Sequence, residues 1–236
     1  MFQDYISEKQ RSYTEEAALY DAKRFSADTG RFYVELSNRI IHRWVTSGRR
    51  ERVLDVATGT GRVSVWLARE GVRVFGIDLT DAMLQQAKAK AGRLGVGLPL
   101  MQGNALSLPF RENTFDAVVS IRFLHILPSE LQLPIIQEMV RVLKPRGRIA
   151  VEFNSPFAGG LLWMLRRDHL VIWPSELKRL VKGLSKIKVQ GIMLPGLARL
   201  SRWHPGLAYR IGENLDFWPL NHLCNQILVM GEKESG

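Results

Sequence analysis

The sequence predicts a single doubly wound α/β domain with a parallel sheet, and three observations carry that expectation. Between residues 51 and 154, short apolar runs alternate with segments of helical periodicity, the pattern of a parallel sheet covered on both faces. The stretch Val53–Gly61, Val-Leu-Asp-Val-Ala-Thr-Gly-Thr-Gly, passes from an apolar strand through a glycine turn into a helix. Right-handed crossovers between such units wind the sheet in both directions. Residues 1–50 show helical spacing and no strand signal, so they read as an N-terminal helical cap. Residues 51–154 form the core, and residues 155–236 an insertion with the final strands.

Taken in order, Tyr13–Lys23 and Phe32–Val45 carry apolar residues at helical spacing, and Asp28-Thr29-Gly30 reads as the break between them. Strands are expected at Val53–Val56, Val72–Ile77, Leu98–Gln102, Phe115–Ser120 and Arg148–Phe153, and helices at Arg62–Arg69, Asp81–Gly92 and Leu131–Leu143. Leu143-Lys144-Pro145-Arg146-Gly147 stops the last helix and turns into a strand. Further on, Ser175–Gly183 reads as a short helix with Ser175 as its N-cap. Ile187–Leu194 is a strand ended by Pro195-Gly196, and Cys224–Met230 is the last strand. Between them lies a Trp- and Pro-rich insertion with Trp203, His204, Pro205, Trp218 and Pro219.

Composition narrows the class. The chain of 236 residues is long enough for one large core, and its one cysteine, Cys224, excludes an internal disulfide framework and any multi-cysteine metal site. A reducing cytoplasm is the simplest compartment. The first ten residues are too polar for a signal peptide. The net charge of +10 leans toward the C-terminal third, and no run of five like charges occurs. A solvated basic surface is the plain reading. An anionic substrate, a membrane surface or a nucleic acid are the sharper ones.

Strand ends collect the polar residues. The glycine turn puts free N–H groups and the positive end of a helix at one spot, which favours an anionic group of a nucleotide-like ligand. Asp78 ends the second strand about 20 residues on, where a carboxylate can accept both ribose hydroxyls. Asn104-Ala105 follows the third strand, and Arg122 and His125 follow the fourth. Ligands of open parallel sheets bind outside the carboxyl ends of the strands, and Asp55, Gly59, Gly61, Asp78, Asn104 and Arg122 all map there. A dinucleotide fits poorly. The third small residue of its fingerprint is replaced by Ser64, and Asp55 would repel a pyrophosphate while suiting an ammonium group.

Val53–Gly61, Gly76–Leu84, Gly103–Phe110 and Phe115–Pro128 with Met139–Phe153 resemble the successive motifs of class I S-adenosylmethionine-dependent methyltransferases, and within them the ubiquinone and menaquinone C-methyltransferases. The resemblance covers roughly residues 50–155. It implies a Rossmann-like, mostly parallel seven-stranded sheet with an antiparallel last strand, an N-terminal helical lid and a C-terminal helical insertion on the substrate side. It implies S-adenosylmethionine as cofactor and S-adenosylhomocysteine as product; no His, Asp or Glu spacing suggests a metal site, so no metal is expected and a catechol-type magnesium enzyme is disfavoured. Asp55 and the turn Ala57, Thr58, Gly59 and Gly61 would hold the methionine end. Asp78 would bind the ribose, Leu79 would cover the adenine, and Asn104 and Ala105 would meet its edge, with Met83 and Ile121 completing the surroundings. The family often has Asp at the place of Asn104 and Gly at the place of Ala57.

The cofactor carries the reactivity, and the protein supplies alignment and, where needed, a base. His125 is the best-placed base, although it resembles a loop histidine that often only packs. Arg122 either holds an anionic substrate group or points to solvent. Tyr20, with Tyr13 and Tyr33, either closes over the methyl donor or packs. His204 and the tryptophans at 163, 173, 203 and 218 either line an apolar acceptor pocket or belong to the core. No Pro-Pro-Tyr or Pro-Pro-Phe follows the fourth strand, which argues against methylation of adenine in nucleic acid. Cys224 lies away from the site, which argues against attack on cytosine. The expected acceptor is a small, partly apolar, aromatic or quinone-like molecule. The alternatives are an RNA or protein methyltransferase using the basic surface, or a non-catalytic cofactor-binding protein. Nucleic acid is not an expected partner, peripheral membrane contact stays open, and nothing in the sequence sets the oligomeric state.

Overall fold

The computed structural model of the protein describes residues 2–46, 51–155, 177, 179–217 and 220–235. The N-terminal cap is α1 (Phe2–Glu16), a 3-10 turn (Ala17–Leu19), α2 (Tyr20–Phe25) and α3 (Asp28–Val45). The core follows as β1 (Arg52–Val56), α4 (Arg62–Arg69), β2 (Arg73–Asp78), α5 (Asp81–Arg93), β3 (Leu100–Gln102), β4 (Phe115–Ser120), a 3-10 turn (Leu124–Ile126), α6 (Ser129–Val142) and β5 (Leu143–Asn154). The remaining elements are β6 (Leu184–Ile192), α7 (Leu197–Leu200), α8 (Pro205–Gly212), a 3-10 turn (Leu220–Leu223) and β7 (Gln226–Lys233).

The seven strands form one sheet in the order β3-β2-β1-β4-β5-β7-β6. Pairings from β3 to β5 are parallel, and β7 runs antiparallel to both β5 and β6. The expected seven-stranded, mostly parallel sheet is the one found. The chain winds outward from β1 to β3, then returns to place β4 on the other side of β1. That reversal opens a crevice between the carboxyl ends of β1 and β4.

Alternation along the central strands assigns each face. Val53, Ala117 and Val119 join a core with Phe32, Leu36, Ile40 and Ile41 of α3. Leu54, Val56 and Val118 join a second core with Ile135, Ile136 and Met139 of α6. The cap helix α3 is therefore part of the sheet's covering layer, and Trp44 Nε1 donates to the Ile149 carbonyl at 3.0 Å. No described helix is long and apolar enough to cross a membrane.

Several expected boundaries move. Asp28-Thr29-Gly30 opens α3 instead of separating two helices, and the break falls at Ser26–Ala27. Gly30 serves a close approach, since a Cβ there would lie 2.7 Å from the Phe25 Cα. Helix α6 ends at Val142, and β5 starts at Leu143, five residues early, with a register shift opposite Phe115 and Ala117 and Arg146 at φ +62°. The last strand begins at Gln226, leaving Cys224 buried just before it. Of the helix expected over Ser175–Gly183, Leu177, Arg179 and Leu180 are helical and Val181–Gly183 form a turn, while Ser175, Glu176 and Lys178 lie outside the described residues, as do Trp163, Trp173 and Trp218.

Candidate functional site

The crevice is an open cleft with about 1200 Å3 of empty space, its open mouth included. Its floor comes from the carboxyl ends of β1, β2 and β4 and the loop after β3, and α1 and α2 roof it. The roof is pinned at several points. Tyr5 Oη donates to the Ile126 carbonyl and Gln10 Nε2 to the Leu79 carbonyl. Asp21 accepts from Thr60 Oγ1 at 2.7 Å and from Lys90 Nζ at 2.6 Å.

Asp78 stands where β2 ends, and both its oxygens are fixed by backbone. The Gly59 N–H donates to Oδ2 at 2.8 Å and the Thr80 N–H to Oδ1 at 2.9 Å. Burial raises its pKa above the ordinary aspartate value, against the lowering effect of those N–H groups. The carboxylate is thus held rigidly at the cleft wall with lone pairs to spare. Gly59 beside it has φ +55°, and a Cβ built there would meet no atom within 4 Å. The turn backbone faces open space where a ligand can lie against it.

Asp55 is more deeply set. Its Oδ2 accepts the Thr58 hydroxyl at 2.9 Å and the Ser64 hydroxyl as well. Burial dominates and pushes its pKa up to about 6, although both hydroxyls and the Arg62 charge favour the ionised form. Ser64, which breaks the dinucleotide fingerprint, is fully buried and serves this carboxylate. Ala57 lines the cleft at φ +58°, a left-handed conformation that strains any residue with a Cβ.

Asn104 Oδ1 accepts from the Leu106 N–H at 2.9 Å, so it shapes the turn and leaves its amide N–H groups to meet a ligand's edge. Leu79, Met83, Ala105 and Ile121 all line the cleft. So does Tyr20, packed edge-on against Tyr13 with ring centroids 6.1 Å apart.

A buried charged cluster forms the far wall. Arg122 follows β4 at φ +58°, and Arg62 opens α4. Both face Glu152, which is fully buried near the end of β5, and the Tyr33 hydroxyl donates to Glu152 Oε2. Burial raises the pKa of Glu152 despite both arginines. Burial works against the Arg122 charge, but Tyr33 and Glu152 outweigh it and leave its pKa above the usual arginine value.

Three expected site residues stand apart. Gly61 does not line the cleft. Its Cβ would come within 2.8 Å of Ala87 Cβ, so this glycine at φ +73° lets α4 and α5 pack closely. His125 sits in the 3-10 turn after β4, buried and outside the cleft wall, with Nδ1 unpaired. Burial, with help from the Arg122 charge, lowers its pKa to about 4, so it is a neutral packing side chain at pH 7. His204 is exposed at the N-cap of α8 and is not among the residues lining the cleft.

Comparison with known proteins fits this geometry. Residues 53–147 match a methyltransferase domain family. Over that stretch the chain is similar to S-adenosylmethionine-dependent methyltransferases, and it shares their fold. A demethylmenaquinone methyltransferase of Corynebacterium efficiens is 29% identical over 191 residues, 79% of this chain and 69% of that one. An uncharacterized protein of Mycobacterium tuberculosis is 39% identical over 100 residues, 42% of this chain. The matches span 36% of that mycobacterial relative and 57% of a second one. A methyltransferase structure from Thermotoga maritima shares the fold, with a TM-score of 0.65 at 16% identity over 94% of this chain and 99% of that one.

The cleft and the cluster behind it hold residues, and one pairing, that the sequence did not single out. Arg62 follows the glycine turn, yet only the structure turns it into the cleft. Glu152 left a signal, one acid in the apolar run Ile149-Ala150-Val151-Glu152-Phe153. Tyr33 lies 119 positions from Glu152, and nothing in the sequence joins them.

Proposed function

We propose that the chain transfers a methyl group from S-adenosylmethionine to a small, partly apolar acceptor, aromatic or quinone-like. The observation that carries this reading is the rigid Asp78 carboxylate beside the open backbone of Gly59, at the strand-order reversal of the sheet. The residues fit the cofactor. Asp78 would accept the ribose hydroxyls, Asp55 would face the ammonium of the methionine end, and Leu79 would cover the adenine while the Asn104 amide meets its edge. When bound, the cofactor supplies an electrophilic methyl group on a sulfonium.

The chain's own work is alignment and exclusion of water. Tyr13, Tyr20 and Phe25 of the roof and Leu131 and Ile135 of α6 give the cleft apolar walls, which suit an acceptor with an aromatic or alkyl body. The likeness to a demethylmenaquinone methyltransferase supports the same acceptor class. Isothermal titration with S-adenosylhomocysteine tests the cofactor site, with a micromolar constant expected. Absence of binding by the folded protein would remove this reading. Incubation of the protein with labelled S-adenosylmethionine and a quinone panel then tests the acceptor.

A further inference from the structure

We propose that the methyl acceptor carries an anionic oxygen group, a carboxylate or an ionised phenol, held by Arg122 together with Arg62. The inference rests on the methyltransferase reading of the cleft and names the chemistry of its second ligand.

The two guanidiniums converge on one pair of rings. Phe25 and Tyr33 lie nearly parallel, 12° apart with centroids at 6.3 Å. The Arg62 Cζ is 4.8 Å from the Phe25 centroid and 5.3 Å from that of Tyr33, and the Arg122 Cζ is 5.7 Å and 5.8 Å from the same two. Both arginines line the cleft. Among the described residues, Glu152 is the carboxylate on which both arginines act. One of its oxygens already accepts the Tyr33 hydroxyl. Arg62 also acts on Asp55, so Glu152 is the carboxylate that the two arginines share, and its second oxygen accepts no hydrogen bond.

The hydrogen bonds are as incomplete as the charges. Arg122 Nε, Arg62 Nη1 and Glu152 Oε1 are all buried without a partner. Buried polar atoms are ordinarily paired, and two unpaired guanidinium donors on residues of a cleft wall mark a place for an acceptor. A guanidinium presents its donors as a planar fork that matches the two oxygens of a carboxylate. Tyr33 and Glu152 act as positioning residues, holding the Arg122 head from behind while the apolar roof takes the acceptor's body. The left-handed backbone at Arg122 is a cost of a kind that gathers at ligand sites.

The cofactor's own carboxylate is the other anion that this wall could meet. Arg62 opens α4 beside the glycine turn and acts on Asp55, which places it toward the methionine end. Arg122 interacts with Tyr33, Glu152 and Tyr20, which places it toward the acceptor.

The test is titration of the S-adenosylhomocysteine-loaded protein with 1-naphthoate and 4-hydroxybenzoate, each against its amide. The acid is expected to bind at least tenfold more tightly than the amide. Arg122→Gln should remove that preference and leave the constant for S-adenosylhomocysteine within threefold. Equal binding of acid and amide, or no binding of either acid, overturns the proposal while leaving the cofactor reading intact. Arg122→Gln weakening S-adenosylhomocysteine as much as the acid also overturns it, assigning the arginine to the cofactor's carboxylate. Failure of the wild type to bind S-adenosylhomocysteine overturns both readings. If Arg122→Gln does not fold, the acid-to-amide ratio of the wild type and of Arg122→Lys decides the matter.

Discussion

Binding of S-adenosylhomocysteine should be coupled to ionisation of Asp55. This carboxyl is fully buried among the Thr58 and Ser64 hydroxyls, and its pKa of about 6 compares with 3.8 for an unhindered aspartate. The sign follows from linkage. A folded-state pKa above the unfolded one gives stability that is complete below pH 3.8 and lost as pH rises through about 6. The loss is on the order of 3 kcal/mol at neutral pH. An ammonium group beside Asp55 reverses that, because it interacts with the carboxylate and not with the acid. If the ligand brings the pKa below 4, affinity should fall about tenfold between pH 7 and pH 5, with about 0.9 proton released per binding event at pH 5 and about 0.1 at pH 7. Isothermal titration in two buffers of different ionisation enthalpy reads both quantities.

Ser64→Ala separates Asp55 from other titrating groups. It removes a hydroxyl that favours the ionised form, and a hydrogen bond to a charged group contributes about 1.5–3 kcal/mol, or one to two pKa units. The midpoint of the affinity profile should move upward by about that much, so that the variant binds severalfold more weakly at pH 7 and like the wild type at pH 9. Asp78, whose pKa is also raised, does not touch Ser64 and would stay where it is. A constant that is flat from pH 5 to pH 7 in folded protein, with no proton release, refutes the assignment of Asp55 to the ammonium end.

Asp78→Ala should weaken S-adenosylhomocysteine about 100-fold by titration, the value of two hydrogen bonds to a charged group; a change under threefold would remove the ribose from this carboxylate. Gly61→Ala should cost about 1–3 kcal/mol, since the new methyl overlaps Ala87 and the backbone stays at positive φ, read as a lower melting temperature with ligand affinity unchanged in the folded fraction. His125→Gln should leave the pH–rate profile and the rate within about twofold, because a neutral imidazole outside the cleft exchanges no proton with the acceptor; loss of one limb of the profile would restore it as the base.

Periodicity carried most of the fold into the sequence. Val53 to Val56 and Phe115 to Ser120 alternate between two cores, and buried parallel strands of that kind leave a run of apolar residues that can be read directly. Asp78 was equally legible, because its distance from the glycine turn is set by one helical crossover. What could not be read was the third dimension of small residues. Gly59 and Gly61 look alike in the chain, yet one faces open space and the other the Ala87 methyl. Gly30 looks like a helix breaker and is a contact point for Phe25. The far wall was hidden for a different reason. Tyr33 and Glu152 meet only because α3 packs across β5, and pairing at that separation leaves no local pattern. His204 had a plausible composition around it, but α8 exposes it instead of turning it inward.

The charges of the cleft sort into two ends, and that sorting explains why the roof is built as it is. Asp55 and Asp78 lie on the β1–β2 side, and Arg122 lies just after β4 against Glu152. Arg62 sits between them, acting on both Asp55 and Glu152. A ligand with a cationic centre and a ligand with an anionic group would each find a complementary end, and the two would meet over Arg62. The roof lays the Phe25 ring against both arginines, but its hydrogen bonds take no side in this. Its bonds to the floor run from Tyr5 and Gln10 to the backbone carbonyls of Ile126 and Leu79, and from Asp21 to Thr60 and Lys90. None of these uses Asp55, Asp78 or Arg122. These hydrogen bonds therefore do not compete with a ligand for Asp55, Asp78 or Arg122, and those groups remain available to discriminate between one ligand and another.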